Sequence, residues 1–227
     1  MNRIVVLIIL ILIFLYFYTD IYGPQNNFLV YAGNGETYNV HGEHEDVKDA
    51  ADMMAKVHNQ YKILLAHLHK KYIPAEKTRE VNNEKAGRID VIATTSDKNI
   101  RHEKVEMLEN RFRKDSLIES SPLNRFGNTS YTEGKGNVLA ICLRQKGKPH
   151  DFHDMNTITF VLVHELSHIN NESYGHGPDF WRNFKWMLQE SVEAGIYQPV
   201  NYAVQPINYC GLDINYNPLF DNSLKTE

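Results

Sequence analysis

The segment that most restricts how this chain can fold is MNTITFVLVHELSHI, Met155–Ile169. It is nearly continuous in apolar residues up to its first histidine, the pattern of a helix buried at the centre of a domain. Asp154, immediately before it, is suited to accept from the orphan N–H groups of the first turn. Residues four apart lie on one face of a helix, so the imidazoles of His164 and His168 converge and Glu165 projects beside them.

The chain must then turn. INNESYG, residues 169–175, is rich in Asn and Ser and ends in Gly175, a composition that breaks the helix and can return His176 to the same face. Pro178 suits the first turn of a second helix, on which Phe180, Phe184, Met187 and Leu188 recur as a core face. Three imidazoles with an open fourth position are the ligand set of a catalytic zinc ion, and a glutamate beside them can take a proton from the activated water without binding the metal. His164, His168 and His176 are therefore the expected Zn2+ ligands, and Glu165 the expected general base.

Upstream, Glu43 to Tyr72 repeats Val47, Ala50, Met54, Val57, Tyr61, Leu64 and Leu68 at helical spacing and is closed by Pro74, predicting a long amphipathic helix. Its histidines, His58, His67 and His69, read as solvated or supporting residues rather than ligands. Arg88 to Thr94 predicts a strand, Glu103 to Phe112 a short helix and Ser120 to Gly127 a loop. Asn128 to Arg144 predicts a hairpin about Gly134-Lys135-Gly136 with its second strand at Val138 to Leu143, followed by a polar loop over residues 145–154. The tail, residues 195–220, lacks a regular period and predicts an extended cover. A tyrosine there, such as Tyr202 or Tyr209, can reach the metal site to stabilise an oxyanion; aromatics filling a surface groove are the other reading.

At the N-terminus, Ile4 to Tyr18 contains no polar side chain. It predicts a transmembrane signal-anchor over residues 1–22, with a cleaved secretory signal as the competing reading. Arg3 before the run and acidic residues after it put the N-terminus in the cytoplasm and the domain on the opposite side of a single-pass membrane anchor. Residues 23–42 read as a Gly- and Asn-rich linker and residues 43–227 as one folded domain with an extended tail.

The net charge of −4, without a long Lys/Arg cluster, gives no strong nucleic-acid signal. Two cysteines, Cys142 and Cys210, cannot build a disulfide framework or a four-cysteine ribbon. They pair in an oxidising compartment or remain buried thiols, and both readings stand. Sequons begin at Asn128 and Asn171, the second inside the loop between expected ligands, where a glycan would crowd the cleft.

HELSH followed by GHGPDFW resembles the minimal zincin metallopeptidases of the SprT-like and WLM type, in which a third histidine before an aromatic helix completes the zinc site. The resemblance covers mainly Thr157 to Leu188. It implies zinc on His164, His168 and His176, Glu165 as general base, and the VLAICLR strand at a sheet edge beside the active-site helix, holding extended peptide by β-augmentation. Seven residues separate His168 from His176, so the spacing is not the HExxHxxGxxH of metzincins. The expected fold class is α+β, a minimal zincin-like domain with an active-site helix beside a small mostly antiparallel sheet, preceded by one N-terminal transmembrane helix. The expected function is a membrane-anchored zinc endopeptidase acting on peptide or protein substrates. The alternatives are a membrane-tethered structural or interaction protein with a non-catalytic zinc, and a zinc amidase or deacylase.

Overall fold

Alternating and helical runs of apolar residues assemble into an α+β fold in a computed structural model, which describes residues 5–12, 27–42, 44–73, 91–120 and 130–226. The elements are α1 (residues 5–12), β1 (Asn27–Tyr31), β2 (Thr37–His41), α2 (Val47–Tyr72), α3 (Val91–Arg111), β3 (Leu117–Glu119), β4 (Tyr131–Glu133), β5 (Val138–Ile141), β6 (Arg144–Gln145), β7 (Lys148–Phe152), α4 (Met155–Ile169), α5 (Pro178–Glu193), β8 (Ile207–Tyr209) and β9 (Leu212–Ile214). Five strands form the main sheet in the order β1-β2-β3-β5-β4. The outer pairs, β1 with β2 and β4 with β5, are antiparallel hairpins, whereas β2/β3 and β3/β5 are parallel. The sheet is thus mixed rather than mostly antiparallel, because the long crossover through α2 and α3 brings β3 in alongside β2.

Helix α2 covers β1 to β3 with Ala50, Met54, Val57, Tyr61, Leu64 and Leu68, all buried, and its last turn carries His69, Lys70 and Lys71, which favour the negative end of the helix. It begins at Val47 rather than Glu43, and the carboxylate of Asp46 just before it is held by the buried Arg144, whose Nη1 donates at 2.6 and 2.8 Å. Arg144 Nε also donates to Glu119 Oε1 at 2.7 Å, and the other Glu119 oxygen accepts from the His41 amide at 2.8 Å. This network ties the start of α2 to β2 and β3. Helix α4 packs against β4, β5, α2 and α5 and is buried along nearly its whole length.

Several expectations are corrected here. Among the described residues no helix is long and apolar enough to cross a membrane, which overturns the N-terminal transmembrane helix of the expected fold class. The single-pass membrane localisation, with a cytoplasmic N-terminus and the domain opposite, falls with that helix, as does the membrane as a partner through it. Within the segment read as a linker, β1 and β2 pair in full register from Asn27↔His41 to Tyr31↔Thr37 and begin the sheet. The strand expected from Arg88 lies partly outside the described residues, and residues 91–94 open helix α3 instead. The edge strand beside α4 is β4, not the VLAI strand β5, which lies between β3 and β4. The expected 145–154 loop is the β6–β7 hairpin, turning at Gly147 with φ +79°. The expected loop beyond Ser120 and the sequon at Asn128 lie outside the described residues.

Candidate metal centre and its cleft

Asp154 caps α4, accepting from the Thr157 amide at 3.0 Å and the Thr157 hydroxyl at 2.6 Å. The apolar body of the helix fixes its rotation in the core, and the polar end projects His164 and His168 one turn apart. The helix stops at Asn170, the chain turns through Gly175 at φ +74°, and Gly177 and Pro178 open α5. His176 is thereby carried back to the first two histidines. The three Nε2 atoms form a triangle with edges of 3.3, 3.1 and 3.0 Å.

That triangle fits a zinc ion. A tetrahedral ion with nitrogen ligands at about 2.0–2.1 Å spaces them about 3.3 Å apart. Three neutral imidazole nitrogens turned toward one point cannot all satisfy one another as donors and acceptors, and a cation resolves the surplus of lone pairs. Burial, reinforced by the neighbouring imidazoles, depresses the pKa of His164 to about 3; burial first and then His176 and Lys135 bring His168 to about 4; burial also lowers His176. The set is therefore held in the neutral form that metal binding requires. Phe180, fully buried on α5, supports all three rings, with centroids 4.9, 4.2 and 4.7 Å from His164, His168 and His176.

Glu165 is 5% exposed, and burial pushes its carboxyl up to about 7, although a hydrogen bond from Thr132 Oγ1 at 3.0 Å opposes the shift. Thr132 lies on the edge strand β4, so the sheet edge and the carboxylate are directly joined. The loop that delivers His176 is braced from the same hairpin. Lys135 Nζ donates to the carbonyls of His168, Asn171 and Ser173 at 3.3, 2.6 and 2.7 Å, capping the negative end of α4. Arg111 Nη1 adds a bond to the Ile169 carbonyl at 2.9 Å.

All four expected site residues line one cleft of about 660 Å³. Tyr209 lines it too, but its hydroxyl donates to the Cys142 carbonyl at 2.6 Å, which leaves the proton committed away from an oxyanion. Tyr202 is buried against Phe160, centroids 4.9 Å apart, and does not line the cleft. Thr132 and Lys135 are the functional candidates that sequence reasoning missed; no motif marks them, and only the fold of the β4–β5 hairpin brings them to α4. Asn171 is 4% exposed, and its Nδ2, the atom a glycan would occupy, donates to Ser173 Oγ at 2.7 Å. Cys142 and Cys210, left open between thiols and a pair, are joined as a disulfide.

An HExxH helix packed beside a sheet edge, with a third histidine folded back onto it, defines a zinc metallopeptidase-like domain. The chain belongs to the WLM domain family, whose model matches residues 80–203, more than half of the sequence. It is 34% identical over 98 residues to "Uncharacterized protein R325" of Acanthamoeba polyphaga mimivirus, a match covering 43% of this chain and 48% of that one. It is 29% identical over 71 residues to "Uncharacterized protein 136R" of Invertebrate iridescent virus 6, covering 31% of this chain and 40% of the relative. The matched segments span less than half of the length of these curated relatives. Among solved structures, a Wss1 mutant from Saccharomyces cerevisiae aligns with a TM-score of 0.33 and 20% identity, over 50% of this chain and 91% of that one.

Proposed function

We propose that this protein is a zinc-dependent endopeptidase in which His164, His168 and His176 hold the metal and Glu165 moves the proton. The observation that carries the reading is the Nε2 triangle, 3.0–3.3 Å on each edge, set beside a buried carboxylate at the foot of an edge strand. Zinc, when bound, supplies Lewis acidity toward the scissile carbonyl and acidifies water. Glu165, near neutral pH in its proton affinity, accepts the proton of the attacking water and returns it to the departing amine nitrogen. Thr132 keeps the carboxylate turned toward the cleft. Among the described residues β4 is the last strand of the sheet and lies beside α4, the place where an extended substrate would run.

The test is zinc content alongside hydrolysis of an unfolded protein by the full chain and by Glu165→Gln. One equivalent of zinc in both, with cleavage by the wild type alone, is expected. Cleavage by Glu165→Gln contradicts the assigned base, zinc without cleavage by either points to a structural ion, and a chain that binds no zinc removes the site.

A further inference from the structure

The cleft is much larger than the histidine triangle needs, and its far bank is built by a part of the chain outside the residues matched to the family. The β8–β9 hairpin begins at Ile207, beyond the matched segment that ends at residue 203. It presents Leu212 and Ile214 to the cleft, followed by Tyr216, which stands edge-on to Trp181 with centroids 5.1 Å apart. Phe160 and Val161, one turn before His164, face the same space from α4. The bank is a fixed wall. Its two-residue turn, Cys210-Gly211, has both φ values positive, at +52° and +90°, as a tight hairpin turn requires. The disulfide to Cys142, the Tyr209 bond to the Cys142 carbonyl, and the Cys210 amide donating to His153 Nε2 at 3.2 Å fasten it beside β5.

The cleft's lysine is turned away from a ligand: Lys135 is bound to three carbonyls, while Asp213, which accepts from Asn208 Nδ2 at 2.8 Å, keeps its negative charge on the bank. Apart from Glu165 and the histidines, these are the charged groups among the described lining residues. An acidic substrate side chain on this bank gives up hydration and faces the Asp213 carboxylate, while a bulky apolar one buries its surface against Leu212, Ile214 and the aromatics. We propose that the β8–β9 hairpin makes the cleft selective for polypeptide segments that place a large aliphatic or aromatic side chain next to the scissile bond. This deepens the peptidase reading and rests on it for the chemistry, but the selectivity itself is a binding property.

The experiment uses the full chain as Glu165→Gln and two fluorescein-labelled ten-residue peptides, identical except for Phe or Asp at one central position. Fluorescence anisotropy is expected to show the Phe peptide binding at least about ten-fold more tightly. Leu212→Asp, at a position 57% exposed and so tolerant of a charge, and Ile214→Asp are each expected to bring the two affinities within about two-fold. Equal affinities in the unaltered hairpin, or no binding of either peptide, overturn the inference. A preference that survives both hairpin substitutions overturns the role given to the hairpin. A wild-type chain that binds the Phe peptide preferentially yet hydrolyses neither peptide overturns the peptidase reading and leaves the selectivity standing.

Discussion

Among the described residues two places bring three metal-binding side chains within reach of one another, and one of these two is free to take an ion. They are His164, His168 and His176, and His67, Glu190 and Glu193. In the second group Lys71 Nζ donates to both Glu190 oxygens at 3.0 Å and to Glu193 at 2.6 Å. Glu190 also accepts from His67 at 2.8 Å, Tyr72 at 2.6 Å and Trp186 at 3.1 Å. The ammonium occupies the place of the cation, and the carboxylate's lone pairs are filled. In the first group three neutral nitrogens face a common point and no ammonium enters it; Lys135, nearby, is turned to backbone carbonyls instead. Both sets bring three potential ligand atoms close together. What separates them is whether the protein already supplies the positive charge.

The contrast is broken most directly by removing one imidazole from the first group. His168→Ala is expected to weaken zinc binding by at least about 100-fold, the upper end of what even supporting residues contribute, while His67→Ala leaves one equivalent bound. Competition with a chromophoric chelator measures both. Comparable losses in the two variants would make the second group a metal site after all. Glu190→Ala reverses the experiment: it leaves Lys71 with Glu193 alone and the Tyr72 hydroxyl and Trp186 N–H without their carboxylate. It is expected to cost about 2–4 kcal/mol in urea unfolding with zinc stoichiometry unchanged. A stable Glu190→Ala protein that loses zinc would show the two clusters to be one unit.

How far each region could be read beforehand follows from how local its chemistry is. His164 to His176 are separated by a turn, so spacing, helix period and the Gly175 and Pro178 signals define them without tertiary information. The second cluster joins α2 to α5 across more than 100 residues, and nothing in the spacing of His67 and Glu190 announces it. The same holds for Thr132 and Lys135. Elsewhere a local signal is present but a competing one obscures it. Asn34-Gly35, between FLVY and TYNV, is a hairpin turn pair, with Gly35 at φ +80°, but the surrounding Gly and Asn content suggested a linker. Strands β8 and β9 have three residues each, too few for an alternating pattern to register.

A smaller effect is expected where a cation supports the first site without entering it. Lys135→Met leaves the carbonyls of His168, Asn171 and Ser173 without their donor and loosens the loop carrying His176. Zinc affinity is expected to fall about ten-fold, with Lys135→Arg restoring part of it. Lys71→Met, by contrast, is expected to leave zinc affinity at the first site unchanged. Equal losses from the two lysines would mean that general destabilisation, not bracing of the loop, weakens the metal.

The mildest probe is acid. Burial works to raise the Glu190 pKa, but the hydrogen bonds from Tyr72, Lys71 and His67 outweigh it and hold the carboxyl below its ordinary value of 4.5. A carboxyl depressed on folding binds fewer protons in the native than in the unfolded chain over that interval, so stability rises with pH there. The contribution is fully present above about pH 4.5 and is lost as pH falls through the lower folded value. Glu190→Gln removes the titrating proton while keeping much of the side chain's volume. Urea midpoints measured from pH 6 to pH 3 should therefore fall less steeply in Glu190→Gln than in the wild type. Parallel curves would mean that the second cluster does not carry its own charge balance, and the distinction between a cation supplied by the protein and one taken from solution would lose its electrostatic basis.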